Sequence, residues 1–371
     1  MPYATTATTD LSAIAANLAE IRARVGDRQV LVAVKANAYG HQAVPIARMI
    51  EDSRAADWLG VATTQEGLDL RAAGVRLPIL RFSVTTDAQE TLACVAADID
   101  LTVTGPVGVA RAEEASRALG RAARVHLKVD TGMRRVGCEP ADAPDLAQRI
   151  DASGLILKGL FSHLAVSDTA GGRAFTDEQI VRFQGVLAAV TAARGRVEIA
   201  HLANSGGVLQ HPSSWFDMVR PGVMVYGNLP DPTTEPTLTL RPALRWSTRV
   251  SEVKQIAAGE TVGYGRTWAA PRDTRIATIP VGYGDGYSRL LSNRGRVLIG
   301  GRSAPIVGRV CMDQTMVDVG ADSRVTVGDE VVLVGGQGEE TIGVQELADL
   351  MGTITYEVTS LIGGRVRRLT T

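Results

Sequence analysis

Residues 30–41, VLVAVKANAYGH, begin the pattern that decides the fold. The run before Lys35 is apolar and rich in valine, which is typical of a strand buried on both faces. Seven similar runs follow, and helical periodicity lies between most of them, for example at 65–73, 107–119 and 177–193. The eight predicted strands are 30–35, 57–62, 78–82, 100–104, 124–130, 156–163, 197–202 and 217–220. This alternation predicts a closed (β/α)8 TIM barrel, although an open doubly wound sheet has the same local pattern. The segment after the seventh strand has the least helical pattern.

The pattern changes after a Pro/Thr-rich stretch at 229–236, which is typical of a linker. Beyond it, short alternating segments predict strands at 243–253, 274–280, 296–299, 303–310, 314–319 and 330–334. Only 344–351 has a helical pattern there, with Thr341 near its start. We therefore predict an α/β protein with a barrel at 1–230 and a smaller, mostly β domain at 231–371.

The composition excludes several classes of function. Among 371 residues, 39 Lys+Arg nearly balance 40 Asp+Glu, and the net charge of −1 argues against a nucleic-acid binder or an electrostatic membrane anchor. Three scattered cysteines predict no disulfide framework, and five histidines without metal-ligand spacing predict no metal site. The N-terminal residues 1–9 have neither a basic nor an apolar region, so we expect no secretory signal and a cytoplasmic location.

Lys35 is the first candidate for chemistry. Apolar neighbours at a strand end would partly desolvate it, which favours the free amine that a Schiff base needs. A lysine that merely extends to solvent from a sheet end is an equally good interpretation. Val-Ala-Val-Lys also resembles a kinase strand motif, but no Gly-rich loop precedes it and no H-R-D or D-F-G follows.

Other polar residues follow later strands and would meet Lys35 on one rim of a barrel, where active sites lie. They are Lys128, Asp130, His163, Asn204, Ser205 and Arg220. The loops after strands seven and eight offer a hydroxyl at Ser205 and backbone amides at Gly206, Gly222 and Val223 as a phosphate cradle, although each alone is ordinary in a turn.

A Schiff-base lysine beside a phosphate cradle indicates pyridoxal phosphate. Arg220 is the candidate partner of its pyridine nitrogen, and an arginine donates a hydrogen bond there without giving up a proton. A short-lived carbanion would result, which suits racemisation. Racemisation needs a second base, and Tyr264 between two glycines is the candidate, although a β-turn tyrosine is the commoner interpretation.

Eight motifs together resemble the bacterial alanine racemases, pyridoxal-phosphate enzymes of fold type III, over essentially the full length. They are AVKANAYGH (33–41), KVDTGMRRVG (128–137), SHL (162–164), HLANSGG (201–207), VRPGVMVYG (219–227), VGYGRTW (262–268), VGYGDGY (281–287) and GRVCMDQTMVDV (308–319). The combination of the lysine motif with the VGYGRTW motif is very specific for this family. Two terminal elements differ from the family: Thr8-Thr9-Asp10-Leu11 at the start and Gly363-Gly364-Arg365-Val366-Arg367-Arg368 at the end.

The resemblance implies a role for each matching residue. Lys35 would hold the cofactor and act on the D-face of the substrate, and Tyr264 from the other subunit of a homodimer would act on the L-face. Arg220 would contact the pyridine nitrogen with His163 behind it, and the phosphate would be bound by Tyr39, Ser205, Gly222, Val223 and Tyr356. Arg135 and the backbone of Met312 would hold the substrate carboxylate, and a carbamylated Lys128 would orient Arg135. Tyr283 and Tyr356 would narrow the entrance.

The implied function is reversible interconversion of L- and D-alanine, which supplies D-alanine for peptidoglycan. The alternatives are a racemase of another small amino acid such as serine, a barrel-type decarboxylase, which usually has an acidic residue where this chain has Arg220, and a non-catalytic pyridoxal-phosphate carrier. Carriers resemble only the barrel half.

Overall fold

The computed structural model describes residues 4–371, so the first three residues of the N-terminal segment lie outside it. In chain order the strands are β1 (Thr6–Thr9), β2 (Gln29–Ala33), β3 (Trp58–Val61), β4 (Ile79–Arg81), β5 (Ile99–Val103), β6 (Arg124–Lys128), β7 (Ile156–Phe161), β8 (Ile199–His201), β9 (Met218–Val219), β10 (Leu244–Arg249), β11 (Glu252–Ile256), β12 (Thr261–Val262), β13 (Trp268–Ala269), β14 (Thr274–Ile279), β15 (Arg296–Ile299), β16 (Arg302–Pro305), β17 (Thr315–Asp318), β18 (Glu330–Gln337), β19 (Glu340–Ile342) and β20 (Arg367–Thr370). The helical segments are α1 (Leu11–Val25), α2 (Lys35–Tyr39), α3 (Ala43–Ser53), α4 (Thr64–Ala72), α5 (Ala88–Ala96), α6 (Pro106–Leu119), α7 (Ala143–Ala152), α8 (Arg173–Arg194), α9 (Ser205–Gln210), α10 (Val344–Met351) and α11 (Thr355–Ser360).

Strands β2 to β9 are parallel and close into a barrel, with β2 paired to β3 on one side and to β9 on the other. These are the eight strands predicted from the sequence, so the closed barrel is confirmed and the open sheet is excluded. β2 ends at Ala33 and β9 at Val219. Lys35 and Arg220 therefore lie just past their strands, on the rim.

The barrel interior is filled by apolar side chains from different strands: Leu31, Trp58, Leu80, Ile199 and Met218. Each such buried side chain stabilises the fold by about 1.5–3 kcal/mol. The predicted helices at 65–73, 107–119 and 177–193 correspond to α4, α6 and α8, and α9 after the seventh barrel strand has only six residues.

Contacts divide the chain into two compact units. The barrel unit consists of Ile14–Ala38 and Ala43–Arg241. Among the described residues, the β unit consists of 4–13, Tyr39–Gln42 and Pro242–Thr371.

The β unit is mostly sheet. Its largest sheet has the order β16-β15-β18-β10-β1-β20, with β19 also paired to β18, and a second sheet has the order β11-β14-β17. Trp246 and Tyr287 pack edge to face in its core, with ring centroids 5.5 Å apart. The divergent ends of the chain meet there, because β1 pairs in parallel with β20.

Some sequence predictions for this half need correction. The segment 243–253 divides into β10 and β11. Helix α10 has the predicted bounds, but its N-cap residue is Gly343, because Thr341 lies in β19. The prediction of a single helix was wrong, because α11 follows; at six residues it is too short to show an amphipathic pattern. Within 4–371, no helix is both long and apolar enough to cross a membrane.

Candidate active site

A left-handed turn follows the lysine at the end of the first barrel strand. Lys35 starts it, and the next four residues have positive φ: Ala36 (51°), Asn37 (53°), Ala38 (55°) and Tyr39 (53°). Left-handed backbone costs about 1–2 kcal/mol for each non-glycine residue. Glu66 of α4 offsets part of this cost, since its carboxylate accepts a hydrogen bond from Ala36 N at 2.6 Å. Strain of this kind is kept where it positions a functional group.

The environment of Lys35 favours its neutral amine. The side chain is half-buried. Burial lowers the pKa of Lys35 and the positive charge of Arg135 lowers it further, whereas the carboxylate of Glu66 opposes the shift. A larger fraction of free amine is therefore present at neutral pH, and that form attacks carbonyl groups.

Several cations converge on the same rim. Burial holds the pKa of His163 well below its ordinary value, and four positive charges act in the same direction: Arg220, Lys128, Arg135 and Lys35. Lys128 is buried, with Nζ 5.4 Å from the centroid of the Phe161 ring. Burial, with help from Arg220 and Arg135, lowers the pKa of Lys128 to about 8. His163 is therefore neutral, and the rim as a whole suits an anionic ligand.

Arg220 is buried and held by four acceptors. Its Nη2 donates to Ser162 O at 2.7 Å and to Leu202 O at 3.0 Å, and lies 3.3 Å from His163 Nδ1. Its Nη1 lies 3.0 Å from His201 Nδ1. Burial lowers the pKa of Arg220 to about 9, so the guanidinium stays charged at neutral pH. The contact with His163 agrees with the sequence prediction. His201 was missed there, although it opens the HLANSGG motif, because a polar residue inside a buried strand gives no sign of its partner.

The loops after the seventh and eighth barrel strands meet at Ser205 and Gly222. Gly222 N donates a hydrogen bond to Ser205 Oγ at 2.9 Å. Asn204 caps α9 by accepting from Gly207 N at 3.0 Å, which places Ser205 in the first turn. Val223 begins the short helical turn Val223–Tyr226 directly after Gly222. The structure therefore brings together the hydroxyl and the amide that the sequence suggested for phosphate.

Two candidate phosphate ligands lie together in the β unit. The rings of Tyr39 and Tyr356 are 5.6 Å apart between centroids and tilted by 52°. Burial raises the pKa of Tyr39, so its hydroxyl keeps its proton and can donate to an anion.

The other candidates in the β unit are exposed. Tyr264 is 74% exposed, between Gly263 (φ 72°) and Gly265 (φ 73°), whose left-handed backbone forms the sharp turn that presents the ring. Tyr283 and Met312 lie side by side: Tyr283 N donates to Cys311 O at 3.0 Å, and Gly284 N donates to Met312 O at 2.9 Å.

The barrel rim fits pyridoxal phosphate. It offers an amine that is partly neutral, a hydroxyl and backbone amides for the phosphate, and a fixed cation for the ring nitrogen. Residues 4–371 contain no group of three or more His, Cys, Asp or Glu side chains arranged to hold a metal ion. Barrel, rim lysine and mostly β second unit together define a two-domain barrel enzyme.

Comparisons with known proteins identify the family of this barrel enzyme. Residues 9–230 match the alanine racemase N-terminal domain, and residues 243–370 match the alanine racemase C-terminal domain. An alanine racemase of Cutibacterium acnes is 49% identical over 97% of this chain and 96% of its own length. The crystal structure of alanine racemase from Streptomyces lavendulae is 37% identical and covers 100% of this chain and 98% of its own, with a TM-score of 0.93. That of Bacillus anthracis with bound L-Ala-P is 33% identical, with a TM-score of 0.92, over 100% of this chain and 96% of its own.

The chain belongs to the alanine racemase family, whose members are pyridoxal-phosphate-dependent isomerases.

Proposed function

We propose that this chain interconverts L- and D-alanine by a two-base mechanism, with pyridoxal phosphate attached to Lys35, and that it supplies D-alanine for peptidoglycan. The observation that carries the proposal is the half-buried Lys35 on a rim that also holds Arg220 and the Ser205–Gly222 pair. The name shared by the relatives supports alanine as the substrate.

The cofactor would be held at three points. Lys35 forms the covalent link. Ser205 and Val223 would donate to the phosphate, and Gly222 would turn its N–H from Ser205 Oγ to the phosphate on binding. We assign Tyr39 and Tyr356 to the phosphate as well. Arg220 would donate to the pyridine nitrogen, with His163 as its neutral neighbour. When bound, pyridoxal phosphate supplies an electron sink that makes the Cα–H of an attached amino acid acidic.

Arg220 limits how strongly that sink operates. The guanidinium is charged at neutral pH and donates hydrogen bonds without releasing a proton. A pyridine nitrogen that accepts a hydrogen bond from Arg220 would stay unprotonated, so negative charge at Cα would be short-lived. Rapid return of a proton to Cα is then favoured over transamination, which needs a longer-lived carbanion.

Proton transfer on two faces requires two residues. The lowered pKa of Lys35 suits it to take or return the proton on the D-face. Tyr264 takes the L-face. Its side chain is 74% exposed, as a residue that completes the site of a second copy of the chain must be. We therefore propose a homodimer with shared active sites.

The substrate would be held by its carboxylate and limited in size. Arg135 and the backbone of Met312 bind the carboxylate, while Tyr283 and Tyr356 narrow the entrance. Lys128, carried as its carbamate, orients Arg135. Its pKa of about 8 supports this, because about one lysine in ten is neutral at pH 7 and only the neutral amine reacts with CO2.

The boundary between the two functional parts of the chain would lie near residue 230. Residues 1–230 carry the lysine, Arg220 and most cofactor ligands, and 231–371 carry Tyr264, Tyr283, Met312 and Tyr356. A carrier protein would not need the second half, whose family match therefore favours an enzyme.

Borohydride reduction of the purified protein tests the proposal. In the reduced protein we expect permanent attachment of the cofactor to the peptide that contains Lys35, found by mass spectrometry. An unreduced sample of the same protein should racemise alanine in a chiral assay. A colourless protein that borohydride leaves unchanged would contradict cofactor binding, and faster turnover of serine than of alanine would contradict the substrate.

A further inference from the structure

Behind Arg220, buried polar side chains continue across the barrel. Arg220 Nη1 lies 3.0 Å from His201 Nδ1, and His201 Nε2 lies 3.0 Å from His126 Nδ1. His126 Nε2 in turn lies 3.4 Å from Asp100 Oδ2, and neither atom has a hydrogen-bond partner elsewhere in residues 4–371. His126, His201 and Asp100 are each 0% exposed. The proposed mechanism so far uses neither Asp100 nor His126.

One placement of hydrogens gives every contact a donor and an acceptor. The guanidinium can only donate, so His201 Nδ1 must be the acceptor and the hydrogen of neutral His201 is on Nε2. That hydrogen points at His126 Nδ1, which leaves the hydrogen of His126 on Nε2, facing the Asp100 carboxylate. The reverse order would set two donors 3.0 Å apart at Arg220 and two acceptors against each other at Asp100.

The charge state of His201 agrees with this placement. Burial holds the pKa of His201 well below its ordinary value, and the positive charge of Arg220 acts in the same direction, so the ring is neutral. His201 also stacks on Phe161, with centroids 4.7 Å apart and planes at 7°, which fixes the orientation of the ring.

The His126 ring occupies space that is open only because residue 159 is a glycine. Gly159 of β7 is the register partner of His126 on β6. A Cβ atom at position 159 would lie 2.2 Å from His126 Nδ1. Any other residue at 159 would therefore displace the imidazole from His201.

The second carboxylate oxygen of Asp100 is held by Arg124. Arg124 Nε donates to Asp100 Oδ1 at 2.7 Å, and Arg124 Nη1 also pairs with Asp98 Oδ1 at 2.9 Å. The Asp98 side chain is 58% exposed and pairs with Arg124, the same arginine that holds Asp100, so Asp98 offers a matched control.

We propose that Asp100 and His126 are positioning residues that fix the hydrogen of His201 on Nε2 and so keep its Nδ1 as the acceptor that orients Arg220. This rests on the proposed function for the task of Arg220 at the cofactor ring. The hydrogen pattern itself does not depend on catalysis.

Nitrogen-15 NMR of the histidine-labelled holoenzyme tests the pattern directly, because the chain has only five histidines. In the wild type we expect Nε2 of both His126 and His201 to carry the hydrogen and Nδ1 of both rings to be the acceptor. A hydrogen on Nδ1 of His201 would overturn the proposal without any variant.

Asp100→Asn should reverse the direction of the hydrogen bonds between Asp100, His126 and His201. The amide oxygen keeps Arg124, which turns the NH2 group toward His126 Nε2, so both histidines must move their hydrogen to Nδ1 and His201 then repels Arg220. We expect the NMR pattern to reverse, the absorption of the bound cofactor to shift, and kcat to fall roughly tenfold or more with little change in KM. Unchanged tautomers would overturn the proposal.

Asp98→Asn should leave all three measurements at wild-type values. An equal effect of both variants would place the cause in the packing of Arg124 and contradict the proposal. If the wild type shows the expected tautomers but does not racemise alanine, the proposed function fails while the hydrogen pattern stands.

Discussion

Gly222 N donates a hydrogen bond to Ser205 Oγ at 2.9 Å, which joins the loops after the seventh and eighth barrel strands. Because the serine oxygen is the acceptor in this bond, its own hydrogen remains for a ligand. The pair therefore presents a hydroxyl donor at the carboxyl end of the barrel, where barrel enzymes bind phosphate.

Ser205→Ala should weaken cofactor binding. A hydrogen bond to a charged group contributes about 1.5–3 kcal/mol, so we expect the Kd for pyridoxal phosphate to rise roughly tenfold to a hundredfold. Titration of the cofactor-free protein, followed by fluorescence, measures this change. Ser213→Ala is the control, since Ser213 is exposed and lies outside the cradle. Equal affinity in both variants would remove Ser205 from the phosphate site.

Arg220→Glu should change the balance of reactions. A carboxylic acid can give the ring nitrogen a proton, which strengthens the electron sink and lengthens the life of charge at Cα. We expect racemisation to fall by roughly 10²-fold or more and keto-acid formation per turnover to rise. The measurement is pyruvate formed for each racemisation event. A fall in racemisation with no rise in pyruvate would mean that Arg220 acts only as a structural residue.

Lys128 should destabilise the unmodified protein at neutral pH. Its pKa is about 8 in the fold and 10.5 ordinarily, so the unfolded chain binds more protons between these values. Stability therefore rises with pH from about 8 to 10.5, and below that range the full penalty is about 3 kcal/mol. Lys128→Met should raise the free energy of unfolding at pH 7 by up to this amount, measured by urea titration without cofactor or bicarbonate.

The exposed lysine variant Lys254→Met is the control for that measurement. It should leave the free energy of unfolding nearly unchanged. Added bicarbonate should stabilise the wild type but not Lys128→Met, because only the wild type can form the carbamate. A bicarbonate effect of equal size in both proteins would argue against carbamylation.

Tyr264→Phe should affect the two directions of the reaction differently at the step of proton removal. Loss of one general base costs roughly 10²- to 10⁴-fold. In deuterated buffer, we expect exchange at Cα of L-alanine to fall by that factor, while exchange at Cα of D-alanine, which depends on Lys35, is largely kept. The D-alanine measurement is the internal control. Full exchange from L-alanine would assign the L-face to another group.

The barrel was predictable because its signal is local and repeated. Buried parallel strands are continuous apolar runs, and eight of them leave few arrangements. β1 and β20 were not predicted, since each has only four residues and gains its stability from pairing with the other and, for β1, with β10. Pairing between distant ends of a chain leaves no periodic trace in either segment.

The candidate site divides in the same way. Lys35 and the Ser205–Gly222 pair follow strand ends that the sequence shows. His201, His126 and Asp100 lie inside buried strands, where a single polar residue does not reveal its partner. The left-handed turn after Lys35 was also unpredictable, because Ala36, Asn37 and Ala38 adopt it through the hydrogen bond to Glu66 and the surrounding packing rather than by intrinsic preference.

The most direct test of the account is the fate of L-alanine with the wild-type holoenzyme in deuterated buffer. We predict D-alanine that carries deuterium at Cα, formed until the two enantiomers are equal in amount, and no conversion after borohydride reduction. Exchange at Cα without inversion, or inversion that survives reduction, would contradict a racemase that works through Lys35 and a second base.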